Sequence, residues 1–470
     1  MNLKVKKIMV NFSYAITSNV ISFLVSMLVV LIVPKVIGVE EYGYWQLYIF
    51  YAAYVAVLHL GWSDGIYLKI GGKKYEDLDK NNIFSQFYIF ILFQIVVGFF
   101  VMTLANGTNE YNKKIIFIML AITVVITNAR SLLVAILQAT NRIKEYAKIM
   151  MVDRITYFVM VIVLLLIGAR SFELLIMADI IGRGISLIYS IAYCKDIIFR
   201  NIKKFKISIN EILDNISIGI KLTLAYIASL LIIGVVRFGI ELMWNVETFG
   251  KVSFSLSVSN LMMVFINAIG ILLFPILKRM DYEKISNIYI YIRNLLMIVM
   301  LGLLIIYYPA KGSLSIWLPN YKESLNYMSL LFPMFIYEGK VAILINTYLK
   351  SLRKENLIMK INIVSVSISM LLTFITTYLL NDLNFSILSI IIVLAFRATL
   401  AEIVLSKIIS VNIYKDIIIE NILVMIFIIL GVFLNSIESM ILYGVLYTIY
   451  VFLKRNELKI TFRRVEMLLK

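Results

Sequence analysis

The 470-residue chain holds one cysteine, one histidine and five prolines, and only 16% of it is charged. A lone thiol, Cys194, forbids an internal disulfide and says nothing of redox compartment. With His59 as the only histidine, a metal site built on imidazole and thiolate is out of reach, and no cofactor is expected. Glycine precedes lysine at Gly250-Lys251 and Gly339-Lys340. Neither pair has the upstream glycine or the following Ser/Thr of a phosphate loop, so nothing suggests ATP hydrolysis. Long polar loops are missing as well. A soluble catalytic domain has no room on either side, and the protein is not expected to be an enzyme.

What the chain has in excess is apolar length. It is 61% hydrophobic with a mean hydropathy of +0.93, against roughly half apolar and a quarter charged in a soluble domain. A bilayer is the alternative solvent, and each helix crossing it needs about 20 apolar residues. The segments that qualify are 12–34, 43–62, 84–105, 115–138, 149–168, 174–193, 215–236, 252–274, 289–308, 327–347, 358–380, 386–405, 419–434 and 438–453. The last two are short and joined only by "NSIES", which makes twelve the lower count. The expected class is an all-α polytopic membrane protein of 12–14 transmembrane helices. Lys4, Lys6 and Lys7 precede an apolar run that is too long for a signal peptide, so this run is the expected first anchor.

Charge orients the map. If the N-terminus is cytoplasmic, the tails and inner loops hold most of the 45 Lys and Arg residues, as the positive-inside rule requires. Both termini then face the cytoplasm of a bacterial inner membrane. The net charge of +17 is topological, suits an anionic inner leaflet and calls for no nucleic acid. Trp45, Trp62, Trp244 and Trp317 fall near predicted interfaces. The longest inner loop, Cys194 to Asn215, is basic and amphipathic and is expected to lie on membrane lipid.

A short pattern occurs twice. "VEEYG" (Val39 to Gly43) precedes span two, and "VETFG" (Val246 to Gly250) precedes span eight. An acidic residue near a helix start suits the dipole, and glycine permits a tight entry. An even number of spans between the copies keeps them in the same orientation. That implies parallel repeats: a six-helix lobe over 1–193, an amphipathic linker over 194–214, a second six-helix lobe over 215–405, and two short spans with a basic tail over 406–470. Two such lobes imply a cleft and alternating access by rocking.

The stretch from Ile32 to Gly72 resembles the opening of Wzx-type polysaccharide flippases of the multidrug/oligosaccharidyl-lipid/polysaccharide exporter superfamily. Pro34, Gly38, Tyr42 and Gly43 carry the spacing, followed by Gly61, Asp64, Gly65, Lys69, Gly71 and Gly72. "LLFPILKRM" (Leu272 to Met280) is similar to the Pro and basic residues that close span eight in that family. The resemblance implies translocation of a polyprenyl-pyrophosphate-linked oligosaccharide from the inner to the outer leaflet, coupled to a proton or sodium gradient. It feeds O-antigen, capsule or a related glycan, with a polysaccharide polymerase as a further partner. The alternatives are a drug or cation antiporter of the same superfamily and a membrane polysaccharide polymerase. The antiporter should show an acidic cavity, and the polymerase a large outer loop.

Charges at membrane depth mark function independently of family. Each costs roughly 2.5–3.5 kcal/mol at mid-helix, so such residues must face water or one another. Arg130, Arg183, Lys221, Lys340 and Arg397 are the expected cavity cations that contact substrate, with Arg130 and Arg397 foremost because guanidinium suits phosphate oxygens. Pairing of these two with Asp179 or Glu338 is the competing expectation. Asp179, Glu338 and Glu402 are the ion-coupling candidates, and Asp179 shares a helix face with Arg183. Pro333 should kink span ten and is the candidate hinge. Asp153, Arg154, Arg293 and Lys360 are expected to snorkel at the cytoplasmic boundary.

Overall fold

The computed structural model describes residues 3–278 and 282–458. The side chains of residues 1–12 and 264–285, with Lys4, Lys6, Lys7 and the run from Leu272 to Met280, lie outside the described ones, as does the basic tail 459–470. Helices account for the architecture, and no strand occurs among the described residues.

The chain divides into two compact units, 1–227 and 228–470. The first contains α1 (Leu3–Val36), α2 (Val39–Ala52), α3 (Trp62–Ile70), α4 (Lys80–Thr103), α5 (Tyr111–Ala139), α6 (Ile143–Leu166), α7 (Phe172–Tyr193), α8 (Lys195–Ile198) and the first part of α9 (Ile209–Met243). The second runs on through α10 (Val246–Lys278), α11 (Tyr282–Leu303), α12 (Tyr307–Trp317), α13 (Lys322–Leu331), α14 (Met334–Gly339), α15 (Asn346–Ser351), α16 (Glu355–Thr373), α17 (Leu383–Ile408), α18 (Tyr414–Phe433) and α19 (Ser436–Leu453). Eleven helices among the described residues are long and apolar enough to cross a membrane, and a bent pair makes twelve. The broken α2–α3 segment and the partly described α10 coincide with the other two expected spans. The protein is thus a multi-pass, all-α membrane protein.

Span two differs from expectation. It is not one helix over 43–62 but two, separated by a tight 3₁₀ turn at Val55–His59. Leu60 (φ 52°) and Gly61 (φ 81°) are left-handed, a conformation that ends a helix and that glycine adopts freely. His59 Nδ1 accepts the Gly61 amide at 3.0 Å, which satisfies a donor that the break exposes. Span ten also bends, by 43° between 319–331 and 334–351, with Pro333 at the break. A proline cannot donate to the preceding turn. A π-helical turn, Lys340–Ile345, follows.

The repeated pattern starts a helix both times. Val39 opens α2 and Val246 opens α10, with Tyr42 and Phe249 buried at the matching position. At the variable position between them, where the second copy has Thr248, Glu41 accepts the Phe172 amide at 2.7 Å at the start of α7.

The glycines of the resemblance serve packing. A Cβ on Gly65 would lie 1.8 Å from the Asn215 carbonyl, and one on Gly219 would lie 1.9 Å from the Gly61 carbonyl. The backbones of α3 and α9 therefore touch, as small residues allow in membranes. Thr223 donates to Asp64 (2.8 Å) and Lys69 binds Asp214 (3.0 Å) along the same seam. The segment after α7 is likewise tied down: Ile197 and Ile198 join Cys194 in the core, and Asp196 takes Tyr75 (2.8 Å) and Lys80 (2.5 Å).

Candidate functional site

In the first unit, a cavity of about 350 Å³ lies beside the broken helix. Ala52, Ala53 and Ala56 bring no bulk where α2 ends, and Trp45 and Tyr48 project from the same helix. Arg154 and Tyr157, three apart on α6, share its wall with Asp179 and Arg183 of α7. Gly182 lets α6 and α7 approach, since a Cβ there would sit 3.1 Å from the Asp153 carbonyl and 3.3 Å from Tyr157.

The charges in this cavity divide into one pair and one surplus. Arg183 Nε donates to Asp179 at 2.7 Å, as the four-residue spacing predicts, and Nη1 donates to Thr127 at 3.1 Å. Tyr48 donates its hydroxyl to the same Asp179 oxygen at 2.7 Å. Arg154 has no ion pair or hydrogen bond among the described residues. It was expected to snorkel, but it lines this cavity instead. Nothing in the local sequence separates it from Asp153 beside it, which points another way.

Asp153 is also buried rather than snorkelling, and it holds Arg130 at 2.6 Å. Arg130 further donates to Ser186 at 3.0 Å. Arg130 therefore has a carboxylate partner, and that partner is neither of the two acids weighed from sequence.

The second unit buries a denser set. Arg293, expected at the boundary, is fully enclosed. It binds Glu402 at 2.6 Å and grips Glu420 through two donors at 2.8 and 2.9 Å. Lys340 bridges the same two carboxylates at 2.8 Å each. Two cations and two buried glutamates thus close on each other, with Asp416 3.7 Å from Arg293 and Tyr289 adding a bond to Glu402. Glu420 was missed because it sits near the start of a short span, where acids are common. Arg397 is also paired, to the half-buried Glu338 at 3.0 Å, and it donates to Asn362 and Ser229. Lys221 is exposed. The structure therefore sets Arg183 and Asp179 at a cavity together, and places Arg130, Lys340 and Arg397 in separate ion pairs. Glu338 and Glu402 serve two of those pairs.

A comparison with curated proteins gives no match. Among solved structures, an inward-facing multidrug-resistance MATE transporter of the MOP superfamily aligns with a TM-score of 0.63 at 11% identity, covering 83% of this chain and 98% of that one. A lipid II flippase, MurJ, in an inward closed conformation aligns at 0.62 and 14%, covering 95% and 99%. A MATE transporter in complex with MaD3S aligns at 0.56 and 14%, covering 85% and 95%. At such identities the likeness is one of fold, and that fold is shared by transporters and a flippase. The model of a family described as polysaccharide biosynthesis proteins matches residues 8–281, and the chain belongs to that family.

Proposed function

We propose that this protein flips a polyprenyl-pyrophosphate-linked oligosaccharide from the inner to the outer leaflet of a bacterial cytoplasmic membrane, with both termini cytoplasmic. Family and fold supply the class of activity, and the positive-inside pattern supplies the orientation. The observation that carries the reading is the cavity among α2, α6 and α7, where a guanidinium without a carboxylate partner faces space within membrane-spanning helices. An uncompensated cation there needs water or an anion beside it, and a lipid-linked anion is such a partner. A drug antiporter would be served by the opposite sign.

Alternating access of the two units is the proposed mode of transport, driven by an ion gradient. Asp179 and Glu338 suit the coupling role because both retain some exposure. Glu402 is enclosed by Arg293 and Lys340 and is better placed to hold helices together. Pro333, at the 43° bend, is the proposed hinge.

Deletion of the gene tests the reading. The expected result is lipid-linked units stranded on the inner leaflet and loss of the surface glycan. Export at the normal rate in a clean deletion, in a strain without a second transporter, would reject it.

A further inference from the structure

Resting on the flippase reading, we infer that the cavity beside the broken helix is a subsite for one acidic sugar residue, a uronate, rather than for the pyrophosphate. Three observations point to it. The volume of about 350 Å³ lies near the low end of small-molecule pockets, roughly 300–1,000 Å³, and is enough for a sugar residue or two.

The charge is the second. Arg183 is neutralised by Asp179, so Arg154 is the surplus, and the cavity carries one net positive charge. Burial of charge is tolerated when it is matched. One carboxylate matches it, and a pyrophosphate brings more charge than the cavity can offset. Arg154 can offer a carboxylate two parallel N–H donors.

The third is an unused donor. Trp45 is 2% exposed, and its indole N–H has no hydrogen-bond partner among the described residues. The Tyr157 hydroxyl is close enough to feel that N–H without meeting hydrogen-bond geometry. Buried indoles ordinarily find a partner. A hydroxyl-rich ligand in the cavity that Trp45 lines is one such partner, and the exposed ring of Tyr226 offers a face for the C–H side of a pyranose.

The test is saturation-transfer NMR on the full chain in nanodiscs, with glucuronate, glucose, glucose-1-phosphate and inorganic pyrophosphate as probes. Glucuronate should bind in the millimolar range and about tenfold tighter than glucose. Arg154→Gln should bring glucuronate down to the level of glucose, and Arg154→Lys should restore part of the difference. Trp45→Phe should weaken both sugars several-fold while keeping the preference. Stronger binding of pyrophosphate or glucose-1-phosphate than of glucuronate would overturn the assignment. So would an unchanged preference in a folded Arg154→Gln protein, or no sugar binding at all. Absent binding with a positive deletion phenotype removes the subsite and leaves the flippase. Binding with a silent deletion does the reverse.

Discussion

At the scale of single residues, the sequence showed which charges lie within apolar runs, but it misplaced Arg293 and Arg154 at the boundary and showed few of the partners. Arg293 reaches Glu402 and Glu420 across 109 and 127 residues of chain, a pairing that no local spacing encodes. Arg183 and Asp179, one turn apart, were legible for the opposite reason. The buried set predicts a sharp asymmetry. Glu402→Gln leaves Arg293 and Lys340 with a single remaining buried glutamate, and removing one partner of a buried pair costs about 3–5 kcal/mol. Thermal unfolding in detergent should show that loss, whereas Glu323→Gln, at the exposed Lys251 pair, should cost under about 1 kcal/mol. Outside the spans, Cys194 offers a second reading. Burial pushes its thiol up to about 11 against the pull of Tyr75 and Arg142. A maleimide should therefore leave the native protein unlabelled at neutral pH and label it after unfolding in SDS.

At the scale of elements, hydropathy placed the helices and mislaid their breaks. Span two looks continuous because Tyr51 to Leu60 is apolar but for His59; the left-handed turn at Leu60 and Gly61 leaves no hydropathy signal. The glycines that follow were noticed as a family likeness, and their role became visible only with α9 lying against them. Gly65→Ala should push α3 off Asn215 and lower the unfolding temperature markedly, while Gly184→Ala on α7, with nothing within 4 Å, should be tolerated. The contact of Asp196 with Lys80 and Tyr75 adds a pH term at the segment after α7. Burial raises the Asp196 carboxyl, but these two bonds outweigh it and hold it below the ordinary value. Its stabilising effect is present above the ordinary Asp range near 4 and is lost as pH falls through the depressed value. The difference in unfolding temperature between wild type and Asp196→Asn should therefore begin to shrink as pH falls through about 4 and close once the pH lies well below the depressed value. A difference that persists there would contradict the assignment.

At the scale of the whole molecule, the class came from composition, because a bilayer imposes length on any chain that crosses it, and the proposed orientation rests on charge. The sequence division treats the last two helices as an addition to twelve. Glu420 of α18 makes them part of the second unit's interior instead, since Arg293 and Lys340 both depend on it. That ring has a consequence for biogenesis. The ribosome delivers both cations to the membrane well before it makes either glutamate, the last of them 127 residues after Arg293. Until α18 arrives, the two cations have only Glu402 between them, and the second unit cannot complete its interior.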